Sequence, residues 1–159
     1  MIIKNKYPLS WIDDLFDELK GVTMLSKIDP RSRYHKVCIK EEDIYKTTFY
    51  NTYGHYEVFV VPFGLNNAPT TFMYLMNSLL CPYLDKFVIV FINDTLIYSK
   101  NEEEHTKHLV VVLRLLRECY LYVKLSKCGF FQTEVHYLGH VVSKEGIVVD
   151  PKKIRVIME

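Results

Sequence analysis

Between residues 87 and 99 the chain reads Phe87-Val88-Ile89-Val90-Phe91-Ile92-Asn93-Asp94-Thr95-Leu96-Ile97-Tyr98-Ser99. Two β-branched and aromatic runs flank a short Asn-Asp pair, which predicts a β-hairpin. Asn and Asp tolerate positive φ, so they suit the turn. The flanks are too apolar for both faces to meet water, so the hairpin is expected to be largely buried. Its tip offers the carboxamide of Asn93 and the carboxylate of Asp94. By itself such a tip is only a turn; the remaining chain decides whether it is a site.

Upstream, Tyr7-Pro8 is held extended by the proline. Ser10 is then expected to cap a helix, Trp11 to Lys20, whose apolar residues Trp11, Ile12, Leu15, Phe16 and Leu19 share one face. Asp13 and Asp14 suit its first turn and Gly21 its end. Thr23 to Asp29 reads as a strand closing on an acid, with Pro30 ending the ladder. Arg31 to Lys36 reads as a turn, Val37-Cys38-Ile39 as extended, and Lys40 to Lys46 as a charged loop. Thr47 to Tyr50 and His55 to Val61 predict a second hairpin around Tyr53-Gly54. Asn66-Asn67-Ala68-Pro69 starts a helix to about Leu80, burying Phe72, Leu75, Met76 and Leu79.

Beyond the central hairpin, Ser99 and Glu102 have capping-box spacing before a helix to about Glu118, with Leu109, Val112, Leu113 and Leu116 inward. His105 and His108 mimic a ligand spacing, but beside three Glu at a helix start they read as surface residues. Leu121 to Leu125 and Phe130 to Val142 read as strands, the second bent near Leu138-Gly139-His140. Asp150-Pro151 opens a last helix. Interleaved helices with frequent hairpins indicate an α+β fold, a mainly antiparallel sheet with helices packed on one face.

Composition narrows the class without deciding the function. The 159 residues suit one domain, and the 49% hydrophobic and 25% charged content is ordinary for a globular chain. A net charge of +1 places any nucleic-acid surface in local Lys and Arg clusters. Cys38, Cys81, Cys119 and Cys128 form no C-x-x-C pair, so neither zinc nor a disulfide framework is expected, and an intracellular setting fits. No apolar run reaches membrane-spanning length, so no membrane partner is expected.

Asp29 and Asp94 both end strands. If those strands are neighbours, the acids meet at one sheet edge, the oxygen-donor arrangement that hard divalent cations prefer. The order of strand, acid, helix and hairpin, with the motifs it carries, resembles the palm of a reverse transcriptase from gypsy-type long-terminal-repeat retrotransposons. The motifs are Ser26-Lys27-Ile28-Asp29 with Tyr34-His35; Val61-Pro62-Phe63-Gly64-Leu65 with Asn67-Ala68-Pro69 and Thr71-Phe72; Phe91-Ile92-Asn93-Asp94; Leu125-Ser126-Lys127-Cys128; and Tyr137-Leu138-Gly139-His140. They span nearly the whole chain.

The resemblance implies a reverse-transcriptase palm-like fold over residues 1–159, with partial fingers and truncated at both ends. It implies RNA-directed DNA polymerase activity by two-metal nucleotidyl transfer. Asp29 and Asp94 would be catalytic acids and ligands of Mg2+ or Mn2+. Tyr34 would gate the incoming sugar, and Phe63 and Gly64 would line the nucleotide pocket. Leu138, Gly139 and His140 would grip the primer, and Lys124 and Lys127 could meet phosphates. The implied partners are an RNA template, a DNA primer and a deoxynucleotide triphosphate, with self-association through exposed strand edges also expected.

The departures matter as much. The family hairpin carries adjacent aspartates, and here Asn93 takes the first place. A carboxamide is neutral and offers a single oxygen. One unit-charge pair at ~4 Å is worth about 4 kcal/mol at an effective dielectric of ~20, so weak metal binding and strongly reduced catalysis are expected. Arg33 stands where the family has a small residue, and Pro30 where it commonly has Leu. The alternative is a non-catalytic module that keeps the palm fold to bind nucleic acid or protein.

Overall fold

The strand that ends at Asp29 is the hub of the main sheet. The computed structural model describes residues 17–30, 37–62, 64–65, 67–92 and 94–151. Strand β1 (Met24–Ile28) is followed by the short hairpin of β2 (Phe49–Asn51) and β3 (Gly54–Tyr56), then helix α1 (Ala68–Leu80). The central hairpin is β4 (Val88–Phe91) and β5 (Asp94–Ser99), followed by helix α2 (Glu102–Glu118). Strands β6 (Gly129–Gln132), β7 (Glu134–Tyr137), β8 (His140–Ser143) and β9 (Gly146–Val149) complete the described chain. The main sheet has the order β4-β5-β1-β6, and all its pairings are antiparallel. A separate three-stranded sheet has the order β7-β8-β9.

Successive side chains of a strand point to opposite faces, and both faces of this sheet are covered. Ile28, Val88 and Ile97 pack with Phe72, Met76 and Leu80 of α1 and Leu109, Val112 and Leu116 of α2. Leu25, Ile89, Leu96 and Tyr98 pack the other way, against Leu19, Val22, Val135, Tyr137 and Val142. Helices α1 and α2 therefore share one face, as the α+β pattern predicts. The second layer is largely the β7–β8 hairpin. Tyr98 adds a polar tie there, its hydroxyl donating to Glu18 Oε2 at 3.1 Å.

Several elements differ from the sequence reading. The register pairs Phe91 with Asp94, so Asp94 opens β5 rather than sitting in the turn. Lys40 to Lys46 is no loop: Glu41–Thr47 is a 3₁₀ helix, with Glu41, Glu42 and Asp43 in its first turn and Lys46 paired to Asp43. Asn101, not Ser99, caps α2, its side chain accepting the Glu104 N–H at 2.8 Å. Asn67 precedes α1 without a side-chain cap bond; its carbonyl instead accepts from Thr71 N–H and both threonine hydroxyls, Thr70 and Thr71. Leu121 to Leu125 is not a strand, since only Val123 bridges to Pro30 and Leu125 begins a 3₁₀ turn. The stretch Phe130 to Val142 divides among three strands. The Ser10 cap, most of the expected first helix and the helix after Pro151 lie outside the described residues.

Candidate active site

The two acids meet. Antiparallel pairing of β1 and β5 sets Ile28 against Thr95. Continued one step, that register would set Asp29 opposite Asp94, and directly opposed residues of antiparallel strands stand about 5 Å apart at Cα. Residues directly opposed on neighbouring strands share a face, here the face of Leu25, Leu96 and Tyr98 that carries the β7–β8 layer.

Asp29 is almost buried, at 6% exposure. The segment after α2 grips it at three points. The Asp29 carbonyl accepts the Lys124 N–H at 2.9 Å. Its own N–H donates to Cys128 Sγ at 3.4 Å, and that thiol donates to the Lys124 carbonyl at 3.3 Å. Lys127 Nζ stands 3.7 Å from Asp29 Oδ2. The Leu125-Ser126-Lys127-Cys128 motif is thus the cradle of the first acid. Burial pushes the Cys128 thiol pKa up, so the sulfur serves as a neutral hydrogen-bonding group.

Asp94 is half-buried at the tip of the hairpin. Lys27 Nζ lies 3.0 Å from Asp94 Oδ2 and 3.5 Å from the His136 carbonyl, which ties the tip to β7. The Lys27–Asp94 pair retains solvent contact on both sides, and exposed ion pairs contribute only ~0–1 kcal/mol. Ile92, in the turn, has φ +51. A β-branched residue is strained there, and such strain gathers at functional sites.

The predicted primer-grip residues are close by. Leu138 and Gly139, with φ of +51 and +79, form the two-residue turn between β7 and β8. Gly139 supplies the second positive φ that such a turn requires, and its carbonyl accepts the Asp150 N–H at 3.0 Å. His140 begins β8, its Nδ1 3.2 Å from the Leu138 carbonyl. Gly64 lies in the exposed loop before α1 at φ +94, and among the described residues no hydrogen bond or ion pair joins it to either acid. Tyr34, Phe63 and Asn93 lie outside the described residues, as does Arg33.

Sequence reasoning missed two features. His105 is not a surface residue but fully buried, at 0% exposure. Its Nε2 is 2.7 Å from Ser26 Oγ and its Nδ1 3.0 Å from Ser99 Oγ. Ser26 Oγ also accepts the Phe131 N–H at 3.1 Å, and Ser99 Oγ is 2.8 Å from His108 Nδ1. One direction satisfies every group: Ser26 donates to Nε2, Nδ1–H donates to Ser99, and Ser99 donates to His108. That pattern requires a neutral His105, and burial, with the neighbouring His108, pulls its pKa down. The second missed feature is Tyr137, at 0% exposure. Burial, then the Asp94 charge, pushes its phenol pKa far up.

Among the described residues no group of three or more His, Cys, Asp or Glu side chains could hold a metal. Asp29 and Asp94 supply two carboxylates, a donor set that suits Mg2+, which commonly takes one or two carboxylates and completes its shell with water and substrate phosphates. No described helix is long and apolar enough to cross a membrane.

Residues 1–142 match the family profile of the reverse transcriptase (RNA-dependent DNA polymerase). The chain is 36% identical over 156 residues to a retrovirus-related Pol polyprotein from transposon 297 of Drosophila melanogaster, covering 98% of this chain and 15% of that polyprotein. It is 33% identical over 155 residues to the transposon Tf2-3 polyprotein of Schizosaccharomyces pombe, covering 98% of this chain and 12% of the polyprotein. It therefore spans less than a fifth of the length of these relatives. In fold it is similar to a foamy viral protease-reverse transcriptase in complex with ds DNA, with TM-score 0.87 and 20% identity over 99% of this chain and 28% of that one. A foamy viral protease-reverse transcriptase in complex with RNA/DNA hybrid gives TM-score 0.76 and 23% identity over 86% of this chain and 18% of that one.

Proposed function

This chain belongs to the reverse transcriptase (RNA-dependent DNA polymerase) family, and on that premise we propose that it is the palm of a retrotransposon polymerase whose metal site is weakened. The observation that supports the reading is the β1–β5 register, which runs toward Asp29 and Asp94 at one end of the main sheet. In this reading Asp29 and Asp94 hold a divalent cation, which when bound activates the attacking hydroxyl and stabilises the leaving oxygen in nucleotidyl transfer. Asp29 is pre-positioned by Lys124 and Cys128, and Asp94 by its place at the start of β5. Lys27 and Lys127 hold the carboxylates until the cation displaces them. The Leu138-Gly139 turn and His140 abut the primer end, and Tyr34, Phe63 and Gly64 serve the incoming deoxynucleotide triphosphate. The nucleic-acid partners are an RNA template and a DNA primer, consistent with the nucleic acids held by the foamy viral enzymes.

Asn93 is what weakens the site. Its neutral amide replaces a carboxylate whose attraction for a cation at ~4 Å is several kcal/mol at an effective dielectric of ~20, and each ~1.4 kcal/mol is tenfold in rate. Mn2+ titration and primer extension on an RNA template test this with the chain and its Asn93→Asp variant. The variant is expected to bind Mn2+ at least tenfold more tightly and to extend primers faster. Equal Mn2+ affinity, or equally robust synthesis by the unaltered chain, overturns the weakened site. Should neither the chain nor the variant extend a primer, the non-catalytic binding module is judged by whether duplex binding persists and falls with salt.

A further inference from the structure

Tyr137 presents an anomaly in the layer above the acids. Its side chain is wholly buried, and its hydroxyl has no hydrogen-bond partner among the described residues. Buried polar groups are almost always satisfied, and an unsatisfied hydroxyl destabilises the fold that holds it. A phenylalanine would fill the same volume without that penalty. The unpaired donor is also in a telling place. Tyr137 packs with Leu25, Phe91 and Leu96, the residues that flank Lys27 and Asp94 on their shared face. Lys27 links Asp94 Oδ2 to the carbonyl of His136, the neighbour of Tyr137. Among the described residues Asp94 is joined through Oδ2 alone, by Lys27. A donor without an acceptor thus lies in the layer that covers Asp94, whose Oδ2 is held by Lys27.

We propose that the Tyr137 hydroxyl is a positioning group for Asp94, donating a hydrogen bond to the oxygen Lys27 does not hold when Lys27 yields to a divalent cation. This rests on the metal-site reading above. The phenol cannot hold the metal in its neutral form; it fixes the carboxylate so that one oxygen faces the cation.

Mn2+ binding to the 159-residue chain, followed by electron paramagnetic resonance, tests the proposal alongside thermal unfolding of the metal-free protein. Tyr137→Phe is expected to leave the metal-free unfolding midpoint unchanged or raised, because it removes an unpaired hydroxyl. It is expected to weaken Mn2+ binding about ten- to hundred-fold, the range for a hydrogen bond to a charged group. Asp94→Asn should abolish the same binding event, and adding Tyr137→Phe to it should change nothing further. Asp94-dependent binding that Tyr137→Phe leaves intact overturns the positioning role alone. A lowered metal-free midpoint with unchanged Mn2+ affinity marks the phenol as structural and overturns it too. Absence of Asp94-dependent Mn2+ binding in the unaltered chain overturns the metal site itself, and the positioning role falls with it.

Discussion

His105 shows how a single residue changes meaning once its neighbours are known. Near a run of Glu at a helix start it reads as a solvated side chain, because the signal for burial is not local. The ring is buried by Ser26 of β1, Ser99 of β5 and Phe131 of β6, with the Phe131 ring 5.2 Å away edge-on. None of these partners is visible from the helix's own periodicity. The neutral ring is favoured in the folded protein, so its folded pKa lies below the ordinary ~6.5 of the unfolded chain. Below that value the unfolded state binds more protons. Stability is therefore full above about pH 6.5 and declines as pH falls from there through the folded pKa. Urea unfolding at a series of pH values checks this, with His105→Gln expected to be less stable at pH 7.5 but to show a flatter acid slope. An unchanged slope would remove His105 from the acid sensitivity. Ile92 makes the complementary case. Asn and Asp are the natural occupants of positive φ, yet pairing of Phe91 with Asp94 puts Ile92 in the turn. The buried residues of β5 decide that register, and it places the acid on a strand rather than in a flexible bend.

At the scale of elements, hydrophobic periodicity carries furthest where an element buries one face. Helices α1 and α2, strand β1 and the central hairpin stand within a few residues of where the pattern puts them. Their starts were harder to read, because Ser, Thr, Asn and Asp all cap helices and several often occur together. Ser99 has capping-box spacing, but it pairs with Met24 in the ladder and its hydroxyl serves His105 and His108. Asn101 does the capping instead. Asn101→Ala is accordingly expected to cost about 1 kcal/mol of stability, measured by the denaturant midpoint. Ser99→Ala should cost more, since it leaves buried imidazole nitrogens without a partner; a larger loss for the Asn101 variant would return the cap to Ser99. The strands after residue 129 were the least legible. They are short, and turns at Leu138-Gly139 and Lys144-Glu145 reverse the chain with only brief polar interruptions. That Asp29 and Asp94 flank paired strands was legible because each acid abuts an apolar run, Asp29 just after β1 and Asp94 at the start of β5. Tyr137 was not, because an aromatic in an apolar run reads as core and nothing local reveals an unpaired hydroxyl.

The whole molecule is organised by a sheet with two covered faces, and the acids lie on only one of them. Leu96 and Ile97 are adjacent in β5 and both fully buried, yet they enter different cores. Ile97 joins the helical layer; Leu96 lies two residues from Asp94 and packs with Tyr137. Truncating either to alanine should cost about 2–5 kcal/mol. Because β5 belongs to both layers, each loss should shift one cooperative transition rather than split it. The two variants part company at the acids. At a temperature where both remain folded, Leu96→Ala loosens the layer above Asp94 and should weaken Mn2+ binding, whereas Ile97→Ala should leave it near that of the unaltered chain. Matched loss of Mn2+ affinity in both would mean that the site senses global stability alone. Two resolved transitions in Leu96→Ala would mean that the β7–β9 sheet folds apart from the main sheet, and the geometry at Asp94 would then belong to the hairpin tip rather than to the layered molecule. A single transition with affinity lost in one variant only would place control of the acids in the packing between β5 and β7.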